Sequence, residues 1–498
     1  MSANPLLAFS PFYNRVLTVL PENIPVFLVG GAIRDALLGK TTHDLDFVLP
    51  ERALTIGRHV ANALGGVFYI LDEARQIGRV IYVGADKQRY VIDFAMQRGP
   101  DLQSDLRGRD FTINAMAIDI KRPDVLVDPL KGATDLLEKR LCACSSTSMI
   151  EDPLRVMRGV RLAVEYGLKI VAETRQQMRQ AAPALTKISQ ERIRDELFRI
   201  LGGVQPATAL RTLDILGGVA LVLPELTVLK EVDQSPPHVS DVWNHTLDIV
   251  QKLEMVLATL APQCNSEASA NLATGLVSLR LGRYRQNIHA HLEQCLNPDR
   301  SLRQIIFFSA LYHDAGKSIT LKREKSGRIR FLGHDLKGVE MVSRRAQELR
   351  LSSLETERLV KIVRHHMRPM LLRQASKVPS RRAIYRFFRD CGETGVDICL
   401  LSIADVLATY GSTLPQDLWQ KHLDVVRVLL DAWWGNPRES ILPPLLVNGD
   451  DIMRTFNLSP GPQVGKILET IREAQAVGNV RTPAEAIAIA QSILCEKK

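Results

Sequence analysis

Residues 28–50 read LVGGAIRDALLGKTTHDLDFVLP, and the organisation of the first third of the chain follows from them. The apolar run Val26–Val29 predicts a strand that stops at Gly30-Gly31. Such a pair lets the backbone pass close to a ligand and aims the first N–H groups of a following helix, expected over Ala32–Leu38, at a phosphate. A second strand is expected over Asp44–Leu49. Asp44 and Asp46 stand two apart on it, so both carboxylates project from one face. Two hard oxygen ligands on one face suit Mg2+ bridged to a triphosphate. Gly78–Val83 and Tyr90–Ala95 read as a further strand pair across a polar turn, the second bringing Asp93 as a third carboxylate.

Around this stretch lies a chain of 498 residues with 64 Lys+Arg against 55 Asp+Glu, a net charge of +9. That length predicts about three domains. Hydrophobic residues at 46% and charged residues at 24% exclude a mostly disordered chain. No uninterrupted apolar run approaches the ~20 residues that span a bilayer, so no membrane is expected as a partner. The first 25 residues lack a basic start followed by an apolar core, and no secretory signal is expected. Seven cysteines, an odd number without framework spacing, predict reduced thiols and a cytoplasmic location. Cys142 and Cys144 read as strand residues. The mild positive excess suits a polyanionic partner. From about Asp152 the pattern is helical almost to the end, with a polar loop expected at Gln263–Asn271 and a break near Pro437–Pro444.

GGAIRDALLG and HDLDFV, then RDFTINAMAID at 109–119, then EDPLRVMRGVRLA at 151–163 resemble, in order and spacing, the successive motifs of class II tRNA nucleotidyltransferases and bacterial poly(A) polymerases. The resemblance covers about residues 20–230. It implies an α+β architecture: a small polymerase-β-like head with a mixed sheet over 1–140, a helical neck with a nucleotide-selecting motif over 141–235, a body over 236–415 and a helical tail over 416–498. It makes Asp44 and Asp46 the catalytic Mg2+ ligands, with Asp93 beside them. It places Gly30, Gly31, Arg34 and Asp35 in the triphosphate-binding stretch, and Arg109, Asp110 and Asn114 in the motif that holds the ribose and orients head against neck. Gly108-Arg109-Asp110 stands where the family usually has Arg-Arg-Asp, which puts one basic contact in doubt.

Glu151-Asp152-Pro153-Leu154-Arg155 resembles the family's base-reading motif. On a helix, Asp152 and Arg155 are i, i+3 neighbours on one face, an acceptor beside a donor. Cytosine and adenine present an amino donor beside a ring-nitrogen acceptor; uracil and guanine reverse the pattern. An Asp/Arg pair therefore fits CTP and ATP, and a wrong base leaves buried groups unpaired at about 1–3 kcal/mol each. Pro153 is compatible with a first helical turn. Arg158 and Arg161 continue the stripe toward the triphosphate. Glu191-Arg192 resembles the next family motif, with Arg192 and Arg194 open to either ion-pair or nucleotide roles.

A second constellation runs from His245 through His313-Asp314 to Asp405. Its order resembles the HD superfamily of metal-dependent phosphohydrolases. Imidazole plus carboxylate suits a divalent metal that activates water against a phosphate ester. Lys317, His334, His365 and His366 are candidates for additional ligands or substrate contacts. Residues 373–389, RQASKVPSRRAIYRFFR, carry six basic and no acidic side chains, and Arg381, Arg382 and Arg386 are the candidate RNA contacts. The terminal stretch from Leu445 resembles the family's C-terminal tail, and its helix start near Val464 is a further phosphate candidate. These readings predict a Mg2+-dependent enzyme that adds C and/or A residues to the tRNA 3′ end from CTP and ATP without a nucleic-acid template. The short Gly99–Gly108 segment, where CCA-adding members carry a longer flexible one, suggests addition of the two Cs only. The alternatives are a poly(A) polymerase, which shares the head motifs, and a phosphohydrolase whose work lies at His313-Asp314.

Overall fold

The computed structural model describes residues 10–85, 87–263, 271–375, 378–435, 437, 441 and 443–495. Most of the expected loop at Gln263–Asn271 and half of the expected break near Pro437–Pro444 lie outside the described residues. The chain divides into two compact units, one of Met1–Glu196 with Thr212–Val222 and one of Leu197–Arg211 with Leu223–Lys498.

The first unit is built on seven strands: β1 (Phe27–Val29), β2 (Asp44–Leu49), β3 (Val67–Asp72), β4 (Ile77–Val83), β5 (Arg89–Met96), β6 (Ala117–Asp119) and β7 (Leu126–Val127), in the spatial order β3-β4-β5-β2-β1-β6-β7. The β2–β5 pair is parallel and the others are antiparallel, which makes the sheet mixed. Strand alternation sorts β2 and β5 into two faces. Leu45, Phe47, Ile92 and Phe94 turn into a buried core, where Phe47 stacks on Phe94 at 5.4 Å. The opposite face carries Asp44, Asp46 and Asp93. The helix Ala53–Leu64 covers the core side with Ile56, Val60 and Leu64, and ends at Gly65 in the left-handed conformation at φ 75°. The four elements expected from alternation and the helix after Gly30-Gly31 are present within a residue or two of their expected bounds. Cys142 and Cys144 fall just beyond a two-residue strand, Arg140–Leu141, on either side of an isolated bridge from Ala143 to Phe111.

One expected helix is corrected. Asp152 and Arg155 do not share a helix: the turn Ser148–Glu151 ends at Asp152, whose backbone is extended (φ −144°, ψ 96°), and the next helix runs over Arg155–Glu165. The residue before a proline is driven out of the helical region by the clash with the pyrrolidine ring, so Pro153 itself breaks the expected continuity. Pro153 precedes the helix rather than occupying its first turn.

The second unit is helical apart from short strand pairs such as Lys322–Arg323 with Ile329–Arg330. Thr394–Thr413 is long and apolar enough to cross a membrane by length and composition, and 78% of that window is buried as a core helix. Val447, Ile452, Val464, Ile467 and Ala486 form a separate cluster among the last helices, Gly449–Phe456, Pro462–Val477 and Pro483–Cys495.

Truncating Phe47 to Ala removes a ring that is 1% exposed and leaves a cavity directly behind the carboxylate face. The expected loss is about 3–5 kcal/mol of unfolding free energy for the first unit. Denaturant titration checks it, and a loss under about 1 kcal/mol contradicts the assignment of this stack as the core of the head.

Candidate nucleotide and metal sites

At the end of β1 the chain turns through Gly30 at φ 77°. A Cβ there would stand 3.2 Å from Asp46 Oδ2 and 3.4 Å from Arg109 Nη1, so glycine is required both by conformation and by close approach. The strand registers place Asp46 beside Val29 on one side and Asp93 on the other, and Arg79 opposite Asp93. Three carboxylates thus share one face. Arg79 grips Asp93 through two bonds, Nε to Oδ1 and Nη2 to Oδ2, both 2.8 Å. Burial, and then the neighbouring charges of Asp93 and Asp44, push the Asp46 carboxyl up to about 6 against the opposing pull of Arg109 and Arg79. A crowded carboxylate whose ionisation is resisted is the environment that a bound dication relieves, and an all-oxygen set fits Mg2+.

Arg34 does not face open solvent. It is 7% exposed and donates to Asn114 Oδ1 (2.6 Å), Asp35 Oδ1 (3.0 Å) and the Tyr166 hydroxyl (2.6 Å), its guanidinium lying over the Tyr166 ring. Tyr166 in turn donates to Asp35. Asn114 donates to Asp110 Oδ1, which also accepts from the Phe111 N–H, while Asp110 Oδ2 pairs with Arg158 at 3.2 Å. Burial raises the Asp110 carboxyl, but Arg158 and these N–H donors outweigh it and hold the group below the usual range. Arg161 pairs with Glu196 at 2.6 Å and Glu165 at 3.1 Å. Arg34, Asp35, Asp110, Asn114, Arg158 and Arg161 are therefore joined to one another or to nearby acids as a frame. Tyr166 completes that frame, and no motif in the sequence marked it.

Beside the frame opens a cleft of about 490 Å³ whose lining includes Met96, Arg98, Arg109, Asp152, Arg155 and Arg192. Arg155 is fastened to backbone: Nη1 reaches the carbonyls of Ser148 (3.0 Å) and Arg109 (3.2 Å), and Nη2 that of Gly108 (2.9 Å). Asp152 accepts from Arg192 at 2.7 Å. The acceptor and donor met in the cleft are thus Asp152 and Arg192, with Arg155 at their base. The short segment after Arg98 is folded. Asp101 caps the helix Leu102–Arg107, and Asp105, 2% exposed, accepts from the Arg98 N–H (3.0 Å) and Arg109 Nε (3.1 Å).

In the second unit His245, His313, Asp314, His334, His366 and Asp405 converge from five helices or their ends. Asp314 belongs to two possible ligand groups, His245–His313–Asp314 and Asp314–His334–His366. His313 Nε2 lies 3.1 Å from Asp314 Oδ2, His334 Nε2 lies 3.4 Å from Oδ1, and His245 Nε2 lies 3.2 Å from Asp405 Oδ1. His313, His334 and His366 each turn Nδ1 to a carbonyl three residues back, at 2.8, 2.8 and 2.7 Å. A donating Nδ1–H leaves the Nε2 lone pair directed into the cluster, the arrangement that orients metal-binding imidazoles. His245 Nε2 and His313 Nε2 are buried, and the carboxylate oxygens beside them lie outside hydrogen-bond geometry, so both ring nitrogens call for a partner. The residues therefore fit a divalent cation. Lys317 approaches Asp314 Oδ2 at 2.6 Å. Burial, followed by the charge on His313, depresses His366 to about 4, so it is neutral at physiological pH. His365 is outside both groups. His238, whose ring is 5.1 Å from that of His245, is a member of the surroundings that the sequence did not single out. Gly316 is required where it stands, since a Cβ would lie 2.1 Å from the His334 carbonyl.

The candidate RNA-contact helix Arg381–Cys391 buries Tyr385, Phe387 and Phe388. Its cations are partly neutralised: Arg382 pairs with Glu473 at 3.0 Å, Arg386 with the same carboxylate at 2.8 Å, and Arg389 with Glu469 at 3.2 Å.

Comparison with known proteins finds the poly A polymerase head domain over residues 26–142, the RNA and SrmB-binding site of polymerase A over 167–229, the HD domain over 277–410 and tRNA nucleotidyltransferase domain 2 over 441–490. The A-adding tRNA nucleotidyltransferase of Deinococcus radiodurans is 31% identical over 473 residues, 93% of this chain and 94% of that protein. The CC-adding enzyme of Thermus thermophilus is 31% identical over 470 residues, 92% of each. The fold resembles that of the Thermotoga maritima CCA-adding enzyme complexed with tRNA, with a TM-score of 0.57 at 19% identity over 98% of this chain and 96% of that one.

Two variants test the sites. Asp46→Asn is expected to abolish nucleotide addition and, in EDTA at pH 8, to raise the melting temperature. The folded carboxyl, near 6, binds its proton more tightly than the unfolded one near 3.8. Its penalty is therefore absent below about pH 4, grows between 4 and 6 and is fully present above, up to about 3 kcal/mol. A lower melting temperature contradicts the crowding. His313→Ala is expected to lose divalent metal from the second unit, read by elemental analysis after desalting, while nucleotide addition persists; unchanged metal content refutes the cluster as a cation site.

Proposed function

The chain belongs to the tRNA nucleotidyltransferase and poly A polymerase family, and from that premise we propose that it adds C residues to the 3′ end of tRNA. The observation that carries this is the union of full-length similarity to a CC-adding enzyme with a cluster of Asp44, Asp46 and Asp93 beside a glycine turn. A Mg2+ held by Asp44 and Asp46 would activate the terminal hydroxyl and neutralise the leaving pyrophosphate. The chain's own residues do the rest. Gly30 and Gly31 keep the approach to the carboxylates open, and Arg109, fixed by Asp105, sets a cation beside Asp46. The Arg34–Asp35–Asn114–Asp110 frame, with Arg34 and Asp110 buried, holds the turn against the motif at 109–114.

Base choice rests on the cleft. A carboxylate has about four acceptor positions, and Asp152 uses two, to the Leu154 N–H and Arg192. The remainder accept the amino group of cytosine, and Arg155 with Arg192 supplies the facing donors. Restriction to C is supported by the folded Gly99–Gly108 segment, which Asp105 ties down at both ends. The equally similar A-adding relative supports a second reading, addition of the terminal A to a tRNA already ending in CC.

The His/Asp cluster is a second candidate active centre, a metal-dependent phosphohydrolase. We place the protein in the cytoplasm, where the six described cysteines, all free, meet a reducing medium.

Incubation with CTP and ATP of two tRNA substrates, one lacking its 3′ CCA and one ending in CC, followed by end sequencing, decides the matter. The expected result is CC on the first and no addition to the second. A single A on the second establishes the other reading, and long A tails on unrelated RNA overturn both.

A further inference from the structure

Residues 322–330, KREKSGRIR, carry five cations and one acid. They form a two-stranded hairpin closed by Gly327 at φ 83°, with the Gly327 N–H donating to the Glu324 carbonyl at 2.9 Å. The register sets Lys322 directly opposite Arg330. Like charges opposed across a ladder destabilise it, and two isolated strands are marginal alone, so this charge pattern works against the hairpin's own folding. Glu324 answers Arg330 and Asp233 answers Arg323. Lys322, Lys325 and Arg328 are exposed and have no ion-pair partner among the described residues. This contrasts with the helix Arg381–Cys391, where Arg382 and Arg386 meet Glu473 and Arg389 meets Glu469.

The hairpin is rooted at the His/Asp cluster. The Ile329 N–H donates to Ser235 Oγ at 2.8 Å. Phe331, which follows the second strand, accepts through its carbonyl from His334 Nδ1 and lies under Lys317 Nζ at 5.2 Å from the ring centre. Lys317 and His334 are five and four residues from the strand ends, spans of at most about 18 and 14 Å. Unanswered cations therefore stand close to a buried group that would hydrolyse phosphate esters.

We propose that this hairpin binds the phosphate backbone of an RNA strand and presents its terminal phosphate to the His/Asp cluster, so that the cluster acts on RNA ends rather than on free nucleotides. The inference rests on the phosphohydrolase reading of the cluster. In the reaction, the oxygen of water bonds to phosphorus as the bond from phosphorus to the ribose oxygen breaks. The water proton passes to that oxygen, and the products are inorganic phosphate and an RNA ending in a hydroxyl. A free nucleotide offers the hairpin one phosphate group to hold, whereas a strand offers a row, and attraction to a row grows with each contact.

The test uses the full chain with Mg2+, Mn2+ or Ni2+ and two probes, p-nitrophenyl phosphate and a single-stranded oligoribonucleotide with a 3′-terminal phosphate. In the variant Lys322→Gln/Lys325→Gln/Arg328→Gln, hydrolysis of the small ester is expected to stay within twofold of wild type. The KM for the oligonucleotide is expected to rise at least tenfold, and the slope of log KM against log salt to fall by about 2, from three lost contacts on a single strand. The charge-conserving variant Lys322→Arg/Lys325→Arg/Arg328→Lys is expected to keep the wild-type KM, which separates charge from a misfolded hairpin. An unchanged oligonucleotide KM and salt slope in the Gln variant overturns the proposal, as does hydrolysis of the small ester without any of the oligonucleotide. Failure of the wild type on both probes with every cation defeats instead the phosphohydrolase reading on which the proposal rests.

Discussion

The parallel register between β2 and β5 is the constraint on which the head depends. It sets Asp46 against Asp93 and, by the same alternation, Phe47 against Phe94. One slip of a residue would exchange the faces, sending carboxylates into the core and rings into water. The stacked, buried phenylalanines therefore hold the acids where they repel one another. Apolar burial on one face maintains, on the other, a charge density that folding alone disfavours, and a raised Asp46 carboxyl is the trace of that opposition.

Around it, cations are placed so that each has a partner of its own. Arg79 clamps Asp93, Arg109 is held by Asp105, and Arg34 is enclosed by Asn114, Asp35 and Tyr166. Arg79 thus closes on Asp93, while Arg109 and Arg34 are held by partners other than Asp46. The arrangement keeps local positive charge near Asp46 while leaving its own compensation incomplete. That incompleteness is what a bound dication would relieve and an ordinary ion-pair network would not leave open.

What could be read from the sequence was what depends on short range. Alternation exposed β2 and β5, the paired glycines exposed the turn, and His313-Asp314 with Asp405 pointed to the second cluster. The i, i+3 spacing of Asp152 and Arg155 suggests one helix, but Pro153 between them breaks it. The candidate RNA helix looks freely cationic in the sequence because Glu469 and Glu473, 80 and 87 residues from Arg389 and Arg386, cannot be paired with them by composition. Choosing His334 and His366 over His365 requires knowing which ring turns its Nδ1 to a carbonyl, and that is a property of three helix ends. Tyr166 and Arg79 carry no motif, since their significance lies wholly in what tertiary packing brings to them.

The two clusters differ in the ligand chemistry that each would offer a cation. The head offers only carboxylate oxygen, crowded and partly resisting ionisation, a set that favours a small hard ion such as Mg2+. The second unit offers imidazole nitrogen with Asp314 and Asp405, acids that neighbouring imidazoles keep ionised below the usual range against the cost of burial. Mixed nitrogen and oxygen sets bind first-row transition ions more tightly than Mg2+. The carboxylates of the head need a metal to relieve repulsion, whereas those of the second unit already face cationic neighbours, Lys317 among them at 2.6 Å from Asp314 Oδ2, and a metal there would displace protons from the imidazoles it engages. Transition ions at low concentration would fill the second site first, and Mg2+ at its far higher working concentration would fill the head.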